Sequence, residues 1–209
     1  MTGKRELNKQ RQYFDFLAVA TRLFEDNGVE NTTMLEIAAK SGTVTKTLNR
    51  YFPTKNALVL AIMKEDDRVS IDRLKLKSRI NLDDPIESIV KLFSVYVDYS
   101  NIIKHLSVWR EYEAVCILEY GSERNCTESV NLRSGVISIV NEVLKKALKE
   151  GLLEEYTSVD DMTDMIHAIT LLNYHKALRG HFTSDDEAVA SLRCNLRSLM
   201  TPFLTRRIA

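Results

Sequence analysis

Apolar residues recur along most of this chain at steps of three and four. Tyr13, Phe16, Leu17, Ala20, Leu23 and Phe24 keep that rhythm, as do Ile89, Phe93, Tyr96 and Val97, and later Val136, Ile139, Val140, Val143, Leu144, Ala147 and Leu148. A side chain returns to the same face of an α-helix every three to four residues, so each set reads as one buried stripe. No segment alternates apolar and polar positions between Asn-Gly or Asp-Gly turns, and no strand is predicted. The spacing predicts nine helices, over residues 8–27, 34–40, 44–51, 54–79, 86–104, 105–120, 128–150, 159–180 and 185–200. The fold class is all-α.

The gaps between stripes hold residues that start or stop helices. Thr33-x-x-Glu36, Ser158-x-x-Asp161 and Ser184-x-x-Glu187 are capping-box patterns. Pro53, Pro85 and Pro202 all fall at predicted boundaries, where a missing N–H does no harm. Gly28, Gly42, Gly121, Gly151 and Gly180 stand between segments, where a left-handed C-cap residue is wanted. Gly135 alone interrupts a helical pattern. The chain has only 7 glycines and 3 prolines in 209 residues, too few punctuators for a turn-rich sandwich or barrel.

Residues 34–51 stand apart. Two short helices are joined by Ser41-Gly42-Thr43, and helices that short persist only when packed on longer ones, here 8–27 and 54–79. Short helix, glycine turn, short helix is the helix-turn-helix pattern, whose second helix can enter the major groove of DNA. Charge changes the picture further. Lys+Arg and Asp+Glu balance at 29 each, so net charge points to no partner. Yet no Asp or Glu occurs from Ile37 to Lys64, a window that holds Lys40, Lys46, Arg50, Lys55 and Lys64. A locally basic surface on a neutral protein is the footprint of a DNA-contacting module, although a charge run by itself also describes a solvated helix face.

Phe24-Glu25-x-x-Gly28, Thr32-Thr33, Ile37-Ala38, Ser41-Gly42 and Thr47-Leu48-x-Arg50-Tyr51-Phe52-Pro53-Thr54-Lys55-x-Ala57-Leu58 together resemble the DNA-binding domain of tetracycline-repressor (TetR) type transcriptional regulators, over about residues 10–60. The resemblance implies a small core of Phe24, Ile37, Ala38, Leu48 and Phe52. It implies a DNA-binding domain over residues 1–55 and an effector-binding and dimerisation domain over 56–209. Thr33 would cap the second helix and bond a phosphate. Thr43, Thr45, Lys46, Thr47, Asn49 and Arg50 offer donors for phosphates and base edges, Asn49 suiting adenine and Arg50 or Lys46 guanine. Tyr51 and Lys55 resemble the family's phosphate contacts; a core role for Tyr51 and a solvent position for Thr45 are the competing readings. The chain departs from the family pattern in having Asn49 for a tyrosine, Lys46 for a glycine, Thr43 for a valine and Val44 for a small hydroxyl residue.

In the second half, Trp109, Tyr112, Glu113, Cys116 and Tyr120 share one helical face. A glutamate in an aromatic stripe needs a partner or solvent. The resemblance implies a small-molecule effector pocket here, with Phe93, Tyr96, Trp109, Tyr112, Glu113 and Cys116 as candidates, against the competing reading that the stripe is core. It also implies a homodimer through residues 159–200, because one recognition helix makes too few contacts and two read a palindrome.

Three widely spaced cysteines, Cys116, Cys126 and Cys194, suit free thiols and form no zinc pattern. The longest apolar run, Ala57–Met63, is too short to span a bilayer, and no leader-like segment follows Met1. No nucleophile triad, glycine-rich phosphate loop or HExxH motif is present. The expectation is a cytoplasmic, non-enzymatic, ligand-responsive regulator of double-stranded DNA, with no cofactor, metal or membrane partner. The alternative is an all-helical small-molecule-binding or adaptor protein without DNA function.

Overall fold

The computed structural model describes residues 3–77, 84–100, 105–119 and 134–205. Among these are nine α-helices: α1 Lys4–Asn27, α2 Met34–Lys40, α3 Thr45–Tyr51, α4 Lys55–Lys77, α5 Pro85–Ser100, α6 Leu106–Glu119, α7 Ser134–Lys149, α8 Val159–Leu178 and α9 Asp185–Met200. A single 3-10 turn follows at Thr201–Phe203. The described residues contain no strand, only an isolated antiparallel bridge between Leu153 and Leu204.

The fold is the all-α one that the spacing predicts, with one shift at the start. Helix α1 begins at Lys4, ahead of its apolar stripe. Residues 4–12 carry no stripe for periodicity to detect, but their Lys, Arg, Glu, Leu and Gln are strong helix formers. The predicted helical residues 78–79, 101–104, 120 and 128–133, and Gly121, lie outside the described residues.

The chain forms two compact units, one from Met1–Asp66 with Ser107–Ser129, the other from Asp67–Leu106 with Val130–Ala209. In the first, Phe16, Ala20, Phe24, Ile37, Ala38, Leu48 and Phe52 are buried, at 3% exposure or less. This holds the five-residue core expected for the helix-turn-helix. Trp109 and Tyr112 of α6 are buried in the same unit, the latter edge-on to Phe24 with ring centroids 6.3 Å apart. In the second unit, α5, α7, α8 and α9 enclose Ile89, Val140, Leu144, Ile166 and Leu196. Polar ties fix these helices around that core. Arg193 Nε donates to both carboxylate oxygens of Glu87 at 2.9 and 3.1 Å, joined by Arg197 at 3.0 Å. Asn173 Nδ2 donates to the Ala188 carbonyl at 2.9 Å, binding α8 to α9.

Of two capping-box patterns, one forms as its sequence predicts and the other departs from it. Thr33 and Glu36 form a complete box: Thr33 Oγ1 accepts from Glu36 N, and Glu36 accepts from Thr33 N at 2.7 Å. Ser184 Oγ accepts from Glu187 N at 3.2 Å, but the Glu187 carboxylate takes the N–H and hydroxyl of Thr183 at 2.8 and 3.0 Å. The return bond has moved back one residue, to Thr183, whose backbone N–H and hydroxyl both donate to the one carboxylate oxygen.

Candidate nucleic-acid interface

Helix α2 is short and buries Ile37 and Ala38, and its C-cap Ser41 Oγ donates back to the Ile37 carbonyl at 2.7 Å. Gly42 then turns the chain with φ +67°, in the left-handed region where a Cβ would be strained. Helix α3 buries one residue, Leu48, which is fully enclosed. With Leu48 inward, Lys46, Asn49 and Arg50 are exposed, and Thr43, Thr45 and Thr47 are half-buried along the edges of the same segment. A basic and amide-bearing face therefore points away from the core, with hydroxyls at its margins. These are the donors that phosphates and base edges accept.

Tyr51 closes α3 and is half-buried. Its ring stands edge-on to Phe16 at 5.2 Å, and its hydroxyl donates to Gln12 Oε1 at 2.9 Å. The end of α3 is thereby tied to α1, and Gln12 is a residue that sequence spacing did not single out. Lys55 sits in the first turn of α4. Its ammonium donates to the carbonyls of Val29, Glu30 and Thr32 at 2.6, 3.2 and 3.1 Å. All three of its protons are engaged by the loop between α1 and α2. Thr33, just beyond that loop, has its hydroxyl on Glu36. The same loop is held from its other side. Glu30 N donates to Glu111 Oε2 of α6 at 3.1 Å, and the buried Thr32 hydroxyl donates to the Gly28 carbonyl at 2.8 Å. The aromatic stripe drew attention to Glu113, whereas it is the adjacent Glu111 that reaches the loop.

Val44, at the N-cap of α3, makes no side-chain cap bond and is 65% exposed. Serine, threonine, aspartate or asparagine at such a position stabilises a helix by about 1 kcal/mol. Valine therefore serves neither the cap nor the core.

The effector candidates fall in different places. Trp109 and Tyr112 pack edge-on to each other at 5.6 Å in the first unit. Glu113 is half-buried, and Phe93 lies against the core of the second unit. The side chains of Tyr96 and Cys116 lie outside the described ones. The Tyr112 hydroxyl is buried with no hydrogen-bond partner among the described residues. Burial, and then the charges of Glu25, Asp66 and Glu111, push its pKa well above that of an ordinary phenol. In the second unit, α8 exposes Met165 and Leu172, with Ala168 between them, and α9 exposes Ala190 and Cys194. Among the described residues no cluster of His, Cys, Asp and Glu has the arrangement of a metal site, and no helix is long and apolar enough to cross a membrane.

Residues 16–62 match the family described as bacterial regulatory proteins, tetR family. No curated protein matches the chain by sequence. Several solved structures share the fold across nearly the whole chain. The TetR-family repressor FadR of Thermus thermophilus, in complex with lauroyl-CoA, superposes with a TM-score of 0.64 at 20% identity, covering 93% of this chain and 96% of that one. A protein of Saccharomonospora viridis assigned as a transcriptional regulator, bound to choline, gives 0.68 at 18% identity, covering 94% and 100%. PfmR, a TetR-family regulator also from Thermus thermophilus, gives 0.56 at 16%, covering 91% and 99%.

Proposed function

We propose, from the match of residues 16–62 to the tetR family of bacterial regulatory proteins, that this DNA-binding regulator is a ligand-responsive repressor that reads a palindromic operator as a homodimer. The observation that carries the reading is the face of α3. Leu48 anchors the helix while Lys46, Asn49 and Arg50 stand in solvent, and no acidic residue occurs between Ile37 and Lys64 to repel a phosphate backbone.

In this reading residues 1–55 bind DNA and 56–209 bind effector and partner. Asn49 and Arg50 reach base edges, with Lys46 beside them. Thr43, Thr45 and Thr47 serve phosphate oxygens, while Thr33, with its hydroxyl and N–H on Glu36, acts as the cap of α2. Tyr51 and Lys55 act chiefly by holding α3 and the preceding loop in register, since their polar atoms are engaged inside the fold. The apolar outward positions of α8 and α9 support a homodimer through residues 159–200, because side chains such as Met165 and Leu172 gain from being covered. Aromatic residues of α5 and α6, namely Phe93, Tyr96, Trp109 and Tyr112, with Glu113 and Cys116, are the effector candidates. The complexes of fold relatives with lauroyl-CoA and choline favour a small organic ligand. The protein works in the cytoplasm, where its operator is, and needs no catalytic group or cofactor.

Effector and operator are coupled only if the effector prefers the conformation that binds DNA poorly. The bond from Glu30 N–H to Glu111 supplies a direct mechanical link, since any displacement of α6 pulls on the loop that positions α2. The test is selection of duplex sites from a random pool by the purified protein, with the molecular mass of the complex measured in solution. The expected product is a palindrome bound by two chains. Recovery of sites without symmetry, or of no enriched sequence, overturns the reading.

A further inference from the structure

We propose that Val44 reads the 5-methyl group of a thymine in each operator half-site. The inference rests on the base-reading role proposed above for α3.

Four observations meet at this residue. Val44 immediately precedes α3, the stretch of a helix-turn-helix that comes nearest to base edges. Its side chain is 65% exposed, so the fold does not use it as core. Its backbone is extended, φ −102° and ψ 151°, as a capping residue requires, yet its side chain cannot cap. A hydroxyl residue would stabilise the same backbone and be better hydrated, so neither packing nor local stability accounts for valine. Finally, it is flanked by Thr43, Thr45 and Lys46 in a segment free of acidic residues, so the partner that the surroundings fit is a polyanion.

The occupant follows from the chemistry of the duplex. Polar side chains serve the phosphates and the hydrogen-bonding atoms of base edges. An isolated apolar side chain among them has one complementary feature in the major groove, the methyl of thymine. Covering that methyl removes two apolar surfaces from water at once and discriminates thymine from every base lacking it.

The test replaces thymine by deoxyuridine, which deletes the methyl and keeps the pairing. Sites selected from a random pool are resynthesised with deoxyuridine at each thymine in turn, and binding is measured for wild type and Val44→Ser. Wild type is expected to lose about fourfold in affinity for one substituted half-site and about fifteenfold for both, the value of one buried methyl-sized group at each contact. Val44→Ser is expected to melt no lower than wild type and to bind thymine and deoxyuridine sites equally. Less than a twofold change at every thymine for wild type overturns the inference, as does a full thymine preference retained by Val44→Ser or a selected half-site with no thymine. Sequence-independent binding by wild type would instead remove the base-reading role of α3, and the inference with it.

Discussion

The ammonium of Lys55 lies 2.6 Å from the carbonyl oxygen of Val29, twenty-six residues earlier in the chain. With Glu30 and Thr32 also accepting, one cation gathers the carbonyls of a loop whose Glu30 N–H is taken by Glu111. A lysine in the first turn of a helix opposes the helix dipole, so its place here is explained by the loop it holds.

Removing that cation takes the charged donor from three carbonyls, two of them in part-buried bonds, and among the described residues only the Val29 carbonyl keeps another donor, the Thr32 N–H at 3.4 Å. Lys55→Met is expected to lower unfolding stability by about 2 kcal/mol, the scale of a lost charge-assisted hydrogen-bond set. Urea denaturation followed by circular dichroism checks this; an unchanged midpoint would show that the carbonyls find other partners.

Glu36 titrates in a way that the capping box dictates. The backbone N–H of Thr33, and then its hydroxyl, hold the Glu36 carboxyl below the ordinary carboxylate range. A carboxylate whose pKa is lower in the folded chain stabilises it above the unfolded value and loses that effect as pH falls through the folded one. Glu187, held down by Thr183, behaves in the same sense. The stability gap between wild type and Glu36→Ala is expected to be open at neutral pH and to narrow steadily in acid. A gap that stays constant down to the acid unfolding transition contradicts the assignment.

Tyr112 makes the opposite case. Its hydroxyl is buried without a partner among the described residues, and its pKa is raised first by burial and then by Glu25, Asp66 and Glu111. Stability should therefore decline as pH rises past the ordinary phenol value, since the unfolded chain loses that proton first. Tyr112→Phe is expected to be neutral or stabilising by up to about 1 kcal/mol at neutral pH, and to lessen the alkaline decline. Thermal melts at neutral and alkaline pH decide it; a clear destabilisation by Tyr112→Phe would mean that the hydroxyl has a bonding role.

Gly135 sits in the first described turn of α7, where alanine would ordinarily gain up to about 1 kcal/mol of helix propensity. A Cβ at this position would collide with the Cδ1 and Cγ1 atoms of Ile71 on α4. Gly135→Ala is expected to destabilise by about 1–3 kcal/mol, and Ile71→Ala to recover part of that in the double variant. Additive losses in the two variants would place the strain elsewhere.

These cases show where the amino-acid pattern is legible. Local chemistry is: Thr33 and Glu36 are three residues apart, Leu48 stands in the core set that the family resemblance implies, and Gly135 is visibly out of place in a helix. What is not legible is the partner across the fold. Nothing near Gly135 names Ile71, nothing near Glu30 names Glu111, eighty-one residues away, and the aromatic stripe directs attention to Glu113. Lys55 reads as a phosphate contact by resemblance, because the carbonyls that engage it are backbone atoms, which carry no sequence signature. The exposed face of α3 was readable because burial of Leu48 sets the orientation of its neighbours.

The central claim is that this face enters the duplex, and salt dependence of operator binding tests it most directly. Log affinity for a selected palindrome should fall linearly with log salt, and Lys46→Ala combined with Arg50→Ala should weaken binding and reduce the slope by about two for a dimer, the share of one phosphate-facing cation, Lys46, from each chain. The same slope for wild type and the double variant, with affinity unchanged, would contradict the account.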